Sequence, residues 1–169
     1  MHLLRIEVEN FKSFGGEITI PFDEGFTAIT GPNGSGKSNS GDAIQFVLGT
    51  RSTKVMRADN VGDLIFNGGK RGKPARHMSV TLVFANKPEL GGRRRLRIDE
   101  DEASFTRSVR LNRKNQPISS YKIGERSATA TEMRRTLAEA GLHGDGYNIV
   151  LQGDVTNLAT MTDWKRRGV

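Results

Sequence analysis

The stretch GPNGSGKSNSGD, residues 31–42, consists almost wholly of glycine, serine and small polar residues. It lies between an apolar run, GFTAIT (25–30), and an amphipathic one, AIQFVLG (43–49). Backbone freedom concentrated where a strand hands over to a helix needs a reason. Gly31-x-x-x-x-Gly36-Lys37-Ser38 supplies one, because it meets every defined position of the phosphate-binding loop pattern. Backbone N–H groups must converge on a phosphate, bulky side chains would block the approach, and some positions need φ > 0. The helix that follows adds free N–H groups and the positive end of its dipole. Lys37 then reaches the β- and γ-phosphates, and Ser38 offers its hydroxyl to Mg²⁺. At ordinary glycine usage a chance match in a chain this long arises less than about once in a hundred. The flanking strand and helix patterns make a bare linking turn a poorer account still.

Outward from this loop, LLRIEVENF (3–11) alternates Leu4, Ile6 and Val8 with Arg5, Glu7 and Glu9, the pattern of a half-buried strand. GEITIPF (16–22) alternates in the same way, and Gly15 and Gly16 between the two runs predict a hairpin turn. FTAIT (26–30) reads as a short buried strand. Residues 36–48 read as a helix stopped by Gly49. Residues 50–72 are irregular around a short apolar piece, DLIF. HMSVTLVFA (77–85) puts Met78, Val80, Leu82 and Phe84 on one face of a strand. LRI (96–98), SFTRSVRL (104–111) and SSYKI (119–123) predict further antiparallel strands, with RIDEDEA and NRKNQP as turns. Residues 129–140 predict a helix, opened by a capping box of Thr129 and Glu132 and closed by Gly141. YNIVL (147–151) predicts a last strand. The fold class is α/β: a P-loop strand–helix unit with a large antiparallel β component.

The 169 residues suffice for one domain, and no cysteine is present, so disulfides and thiolate metal sites are excluded. The N-terminal residues carry charges and no apolar core of a signal peptide, and no run reaches the roughly 20 apolar residues of a membrane span. The net charge of +7 favours anionic partners. His2, His77 and His143 are scattered, with no carboxylate at metal-ligand spacing, and read as structural. A self-sufficient P-loop enzyme also needs a carboxylate at the end of an apolar strand, for Mg²⁺ and water. ITIPFDE (18–24) offers Asp23 and Glu24, but Pro21 suits an edge strand and not a central one. NIVLQGD (148–154) ends in an amide, Gln152. The carboxylate is therefore expected outside these residues, which argues against a small self-contained kinase.

LLRIEVENFKSF (3–14), GFTAITGPNGSGKSNSGDAIQFVLG (25–49), MRADNVGDLIF (56–66) and DGYNIVLQGDVTNL (145–158) together resemble the N-terminal ATPase segment of SMC (structural maintenance of chromosomes) proteins, above all archaeal and other prokaryotic members. The resemblance implies an ABC-type ATPase head split across one chain, with residues 1–161 its N-terminal lobe and 162–169 the start of a coiled coil or a linker. It implies ATP and Mg²⁺ as ligands and cytoplasmic, nucleoid-associated work in chromosome condensation, segregation or cohesion. ATP binding would engage two heads and hydrolysis would release them. The implied partners are the C-terminal lobe, a second head in an ATP-dependent homodimer, DNA, and a kleisin-type subunit, with no membrane. A DNA-repair head of the zinc-hook or recombination-mediator type is the related alternative. A non-enzymatic DNA-binding module is the alternative from another class.

By the same resemblance Pro32, Asn33, Gly34, Ser35, Gly36, Lys37, Ser38 and Asn39 line the nucleotide. Gln152 becomes a second Mg²⁺ ligand beside Ser38. Lys12 and Ser13 reach the phosphates from the opposite side. Asp63 and Leu64 lie near the nucleoside. Arg57 supports transition-state charge, so Lys37, Arg57 and Gln152 form the catalytic set. Arg93, Arg94, Arg95 and Arg97 form a basic run, with Arg107, Arg110, Arg113 and Lys114 expected nearby in a hairpin. They either meet DNA phosphates or form a solvated turn balanced by the acidic residues 99–102.

Overall fold

The computed structural model describes residues 1–49, 56–70 and 72–144. The strand expected at 147–151, Gln152 and the tail at 162–169 lie outside the described residues. Six strands form one antiparallel sheet: β1 (Leu3–Phe11), β2 (Phe14–Pro21), β3 (His77–Ala85), β4 (Glu102–Leu111), β5 (Pro117–Ile123) and β6 (Arg126–Ala128). Their order across the sheet is β2-β1-β3-β4-β5-β6. Two helices, α1 (Lys37–Leu48) and α2 (Ala130–Glu139), cover one face, with α1 against β1, β3 and β4 and α2 against β5.

The period-2 pattern decides which face is covered. Ile6 and Val8 of β1, Met78, Val80 and Leu82 of β3, and Phe105 and Val109 of β4 point to the helices and are buried. Phe46 of α1 meets Phe11 with ring centroids 5.5 Å apart. Burying a side chain of this size is worth about 2–3 kcal/mol, so α1 is held by its apolar face. The opposite sheet face is largely polar, the alternation of a sheet whose other face packs on the core. It carries a hydroxyl pair, Thr81–Thr106 at 2.8 Å, and a hydrogen bond between His77 Nε2 and Glu9 Oε1 at 2.7 Å.

Gly49 ends α1 in a left-handed conformation, its N–H donating to the Gln45 carbonyl. Thr129 caps α2, its hydroxyl accepting from the Glu132 N–H at 3.1 Å. The Glu132 carboxyl is held below its ordinary pKa, first by its bond to Arg126 and to a lesser degree by the Thr129 backbone.

Three expectations are corrected, and one strand is additional. The hairpin turn falls on Lys12 and Ser13, and Gly15 and Gly16 lie inside β2. Gly15 is required because a Cβ there would stand 2.7 Å from the Phe66 ring. Residues 96–98 form no strand. The Asn86 side chain takes the place of a ladder, accepting from Leu96 N–H and donating to the carbonyls of Ile98 and Glu100. The short strand β6 has three residues and carried no apolar alternation to announce it. Residues 26–30 form no strand either: they are exposed throughout, Phe26 almost completely. The last bond to the sheet is from Phe22 N–H to the Leu4 carbonyl. Beyond it β1 is already paired on both sides, by β2 and β3, and offers no edge.

Candidate nucleotide-binding site

The loop expected to cradle phosphate stands at the N-terminus of α1. Gly36 is the N-cap at φ 95°, with no side-chain cap. A Cβ at that position would also meet the Phe14 ring at 2.7 Å, so both conformation and space demand glycine. Gly34 likewise lies in the left-handed region at φ 83°. The Asn39 and Ser40 N–H groups both donate to the Gly36 carbonyl, and the amides of Lys37 and Ser38 face out of the helix end. No acidic residue occupies the first turn of α1, so nothing opposes an anion there. Lys37 curls over its own loop, its ammonium donating to the carbonyls of Gly31 (2.6 Å) and Pro32 (2.8 Å). Ser38 is exposed at the mouth.

This donor set fits a nucleoside triphosphate: forward-facing amides, one ammonium, one hydroxyl and no carboxylate in the first turn of the helix. A divalent ion would draw on Ser38 and on phosphate oxygens, because the described residues hold no cluster of three metal-ligating side chains.

Residues from three segments gather beside the loop. The β1–β2 turn brings Ser13, whose hydroxyl accepts from the Asn39 side-chain amide at 2.6 Å. Lys12 is the neighbouring turn residue, at φ 53°. Its ammonium pairs with Asp42 of α1 and donates to the Met56 carbonyl at 3.0 Å. Arg57, at φ 57°, pairs with the same Asp42 oxygen at 2.6 Å. Two non-glycine residues in the left-handed region, each costing about 1–2 kcal/mol, thus converge on one carboxylate. Asp42 has a side chain only 7% exposed, so its charge requires such partners. Sequence reasoning passed over it. The available signal was an acid four residues after Ser38 on the helix face turned to the sheet.

Asp63 and Leu64 stand in a single 3-10 turn, Val61–Leu64. The Asp63 carboxylate accepts from the Asn60 N–H at 2.9 Å, and the Leu64 side chain is wholly buried. The Leu64 carbonyl accepts from Lys12 N–H at 2.7 Å, so this turn is stitched to the rim of the loop.

The basic residues do not make one patch. Residues 93–97 lie in the loop before β4, and Arg110 and Arg113 lie toward its far end. Glu102 and Arg110 are eight residues apart on one strand, roughly 26 Å at about 3.3 Å per residue. Arg94 is turned inward, donating to the Asn86 carbonyl and to Asp101, both at 2.7 Å. Arg107 is half-buried between Phe46 and Tyr121, and loss of solvent there pulls its guanidinium pKa down. Arg93, Arg95, Arg110 and Arg113 remain on the surface.

The family model for the RecF/RecN/SMC N terminal domain matches residues 2–145. The chain belongs to this family. Within it the likeness is to SMC proteins. A chromosome partition protein Smc from Pyrococcus furiosus is 46% identical over 167 residues, covering 98% of this chain and 13% of its own length. The chain therefore spans about an eighth of the curated relatives it matches. A solved chain described under ATP-driven dimerization and DNA-stimulated activation of SMC ATPases is 45% identical, with a TM-score of 0.87. That match covers 99% of this chain and 96% of the other. The Smc head domain of Pyrococcus furiosus, solved with an extended coiled coil and bound to the C-terminal domain of ScpA, matches with a TM-score of 0.86 and 45% identity. It covers 98% of this chain and 40% of that one. The six-stranded sheet with two helices is thus the fold of the SMC head's N-terminal lobe.

Proposed function

We propose that this chain is the ATP-binding lobe of an SMC chromosome-partition ATPase, with residues 1–161 forming the lobe and 162–169 leading into a coiled coil or a linker. The observation that carries this reading is the Gly34–Gly36 turn at the bare N-terminus of α1, with Lys37 and Ser38 at its mouth. ATP bound there supplies the phosphoanhydride that is cleaved, and Mg²⁺ offsets its charge. Pro32, Asn33, Gly34, Ser35, Gly36 and Asn39 line the phosphates, the Lys37 ammonium moves from its own loop carbonyls to the β- and γ-phosphates, and the Ser38 hydroxyl takes the metal. Lys12 and Ser13 flank the phosphates from the β1–β2 turn, and Asp63 and Leu64 belong to the nucleoside end. Gln152 is the second metal ligand and Arg57 supports charge at the transferring phosphoryl group. The water-activating carboxylate comes from the C-terminal lobe.

In the complete protein, ATP joins two heads and hydrolysis parts them, coupled to DNA and to a kleisin-type subunit, in the cytoplasm at the nucleoid. No helix among the described residues is long and apolar enough to cross a membrane. Arg93, Arg95, Arg110 and Arg113 are the basic side chains placed for DNA phosphate, at two separate ends of β4.

ATP binding and turnover of residues 1–169 and of the intact protein test this together. Wild-type 1–169 binds ATP and hydrolyses it negligibly, the intact protein hydrolyses it, and Lys37→Ala weakens binding at least about a hundredfold. Robust turnover by 1–169 alone, or undiminished binding by Lys37→Ala, would falsify the assignment.

A further inference from the structure

We propose that Asp42 is the counter-ion from which a bound nucleoside triphosphate draws Lys12 and Arg57. The inference rests on the nucleotide-binding reading above. Asp42 stands four residues after Ser38 on α1, about 6 Å further along the helix axis. One of its oxygens, Oδ2, accepts from both the Lys12 ammonium and the Arg57 guanidinium. The two cations approach from different segments, the β1–β2 turn and residues 56–57, and each leaves a left-handed backbone position to do so. Their arrangement is therefore specified by the fold and not by chance meeting of surface chains.

Three observations make this pairing exchangeable. The Arg57 side chain is 58% exposed, so its guanidinium has open space to swing into. The turn that carries Lys12 is fastened to the P-loop helix by the Ser13–Asn39 bond, so the Lys12 backbone stays beside the phosphates whichever partner its ammonium takes. The ammonium and guanidinium both lie on stems long enough to cover one helical turn. A triphosphate carries several negative charges and presents oxygens that a guanidinium grips bidentately, which a single carboxylate oxygen does not match. Phosphate at the loop therefore takes the two cations over, and the buried Asp42 charge loses part of its compensation. That loss works against ATP binding and makes the transfer reversible when phosphate leaves.

The sign of this effect separates it from a scaffold role. Asp42→Asn keeps the shape, removes the competing charge and frees both cations. In the intact protein it is expected to tighten ATP binding about three- to tenfold, the scale of one partly exposed ion pair. The gain should vanish in Lys12→Gln/Arg57→Gln/Asp42→Asn compared with Lys12→Gln/Arg57→Gln. A residue that merely supports the fold would weaken binding and lower the melting temperature. Unchanged or weaker ATP binding by a folded Asp42→Asn protein overturns the proposal. Where Asp42→Asn does not fold, the wild type decides. Acetylation of Lys12, followed by peptide mass spectrometry, should run at a different rate with and without a non-hydrolysable ATP analogue, and an unchanged rate overturns the proposal. Lys37→Ala is the control: if it loses ATP while Asp42→Asn gains nothing, only the Asp42 inference fails. If Lys37→Ala binds ATP fully, the nucleotide reading itself fails.

Discussion

At the scale of single residues, a few charges in this chain turn inward, Asp42, Arg94 and Arg107 among them. Arg107 lies on the covered face of β4, with its guanidinium 4.3 Å over the Phe46 ring and a bond of 2.8 Å to the Phe46 carbonyl. Phe46 sits in the last turn of α1, which has no basic residue of its own. Arg107 therefore supplies from the sheet the positive charge that the helix C-terminus favours. Arg107→Met should lower stability by about 1–3 kcal/mol in urea unfolding, and Arg107→Lys should restore less than half, because an ammonium cannot stack and donate from one plane. The turn into α1 was legible at this scale, since glycine at 34 and 36 answers to the left-handed backbone found there. Arg94, Arg107 and Asp42 were not. A basic run and a lone acid read as solvated charge until the fold supplies the carbonyl, ring or cation that each one meets.

At the scale of elements, periodicity carried β1, β3, β4, β5 and both helices, because a buried face writes its period into the sequence. It was silent where a single side chain stands in for a ladder, as Asn86 does for residues 96–98. It also misled where glycine serves space and not turning. Gly15 makes room for Phe66, and the turn next to it is made by Lys12 at φ 53°. Gly15→Ala should cost about 1–3 kcal/mol by overpacking. Phe66→Leu in the same chain should recover part of that loss in thermal melts. An equal loss in the double variant would show that Gly15 is needed for its backbone and not for the space it leaves.

At the scale of the whole molecule, the segment leading into the phosphate loop is the incomplete part. Phe26 is 95% and Ile29 45% exposed, in a short, mostly apolar stretch that reads as a buried strand. In the intact protein residues 26–30 should gain a strand partner. Their amides should then exchange at least about a hundredfold more slowly than in residues 1–169, read by hydrogen–deuterium exchange and mass spectrometry. Equal exchange in both would mean that the segment stays unpaired in the complete head. The sheet itself is different. Every neighbouring pair in it joins strands adjacent in sequence except β1 with β3, and each of its strands lies within residues 3–128. Among the described residues, every strand of the ladder finds its neighbours before that point. In a longer chain of the kind proposed above, these six strands could therefore pair during synthesis as soon as residues 3–128 had left the ribosome. The sheet face that carries the loop would then be in place before any segment that joins it.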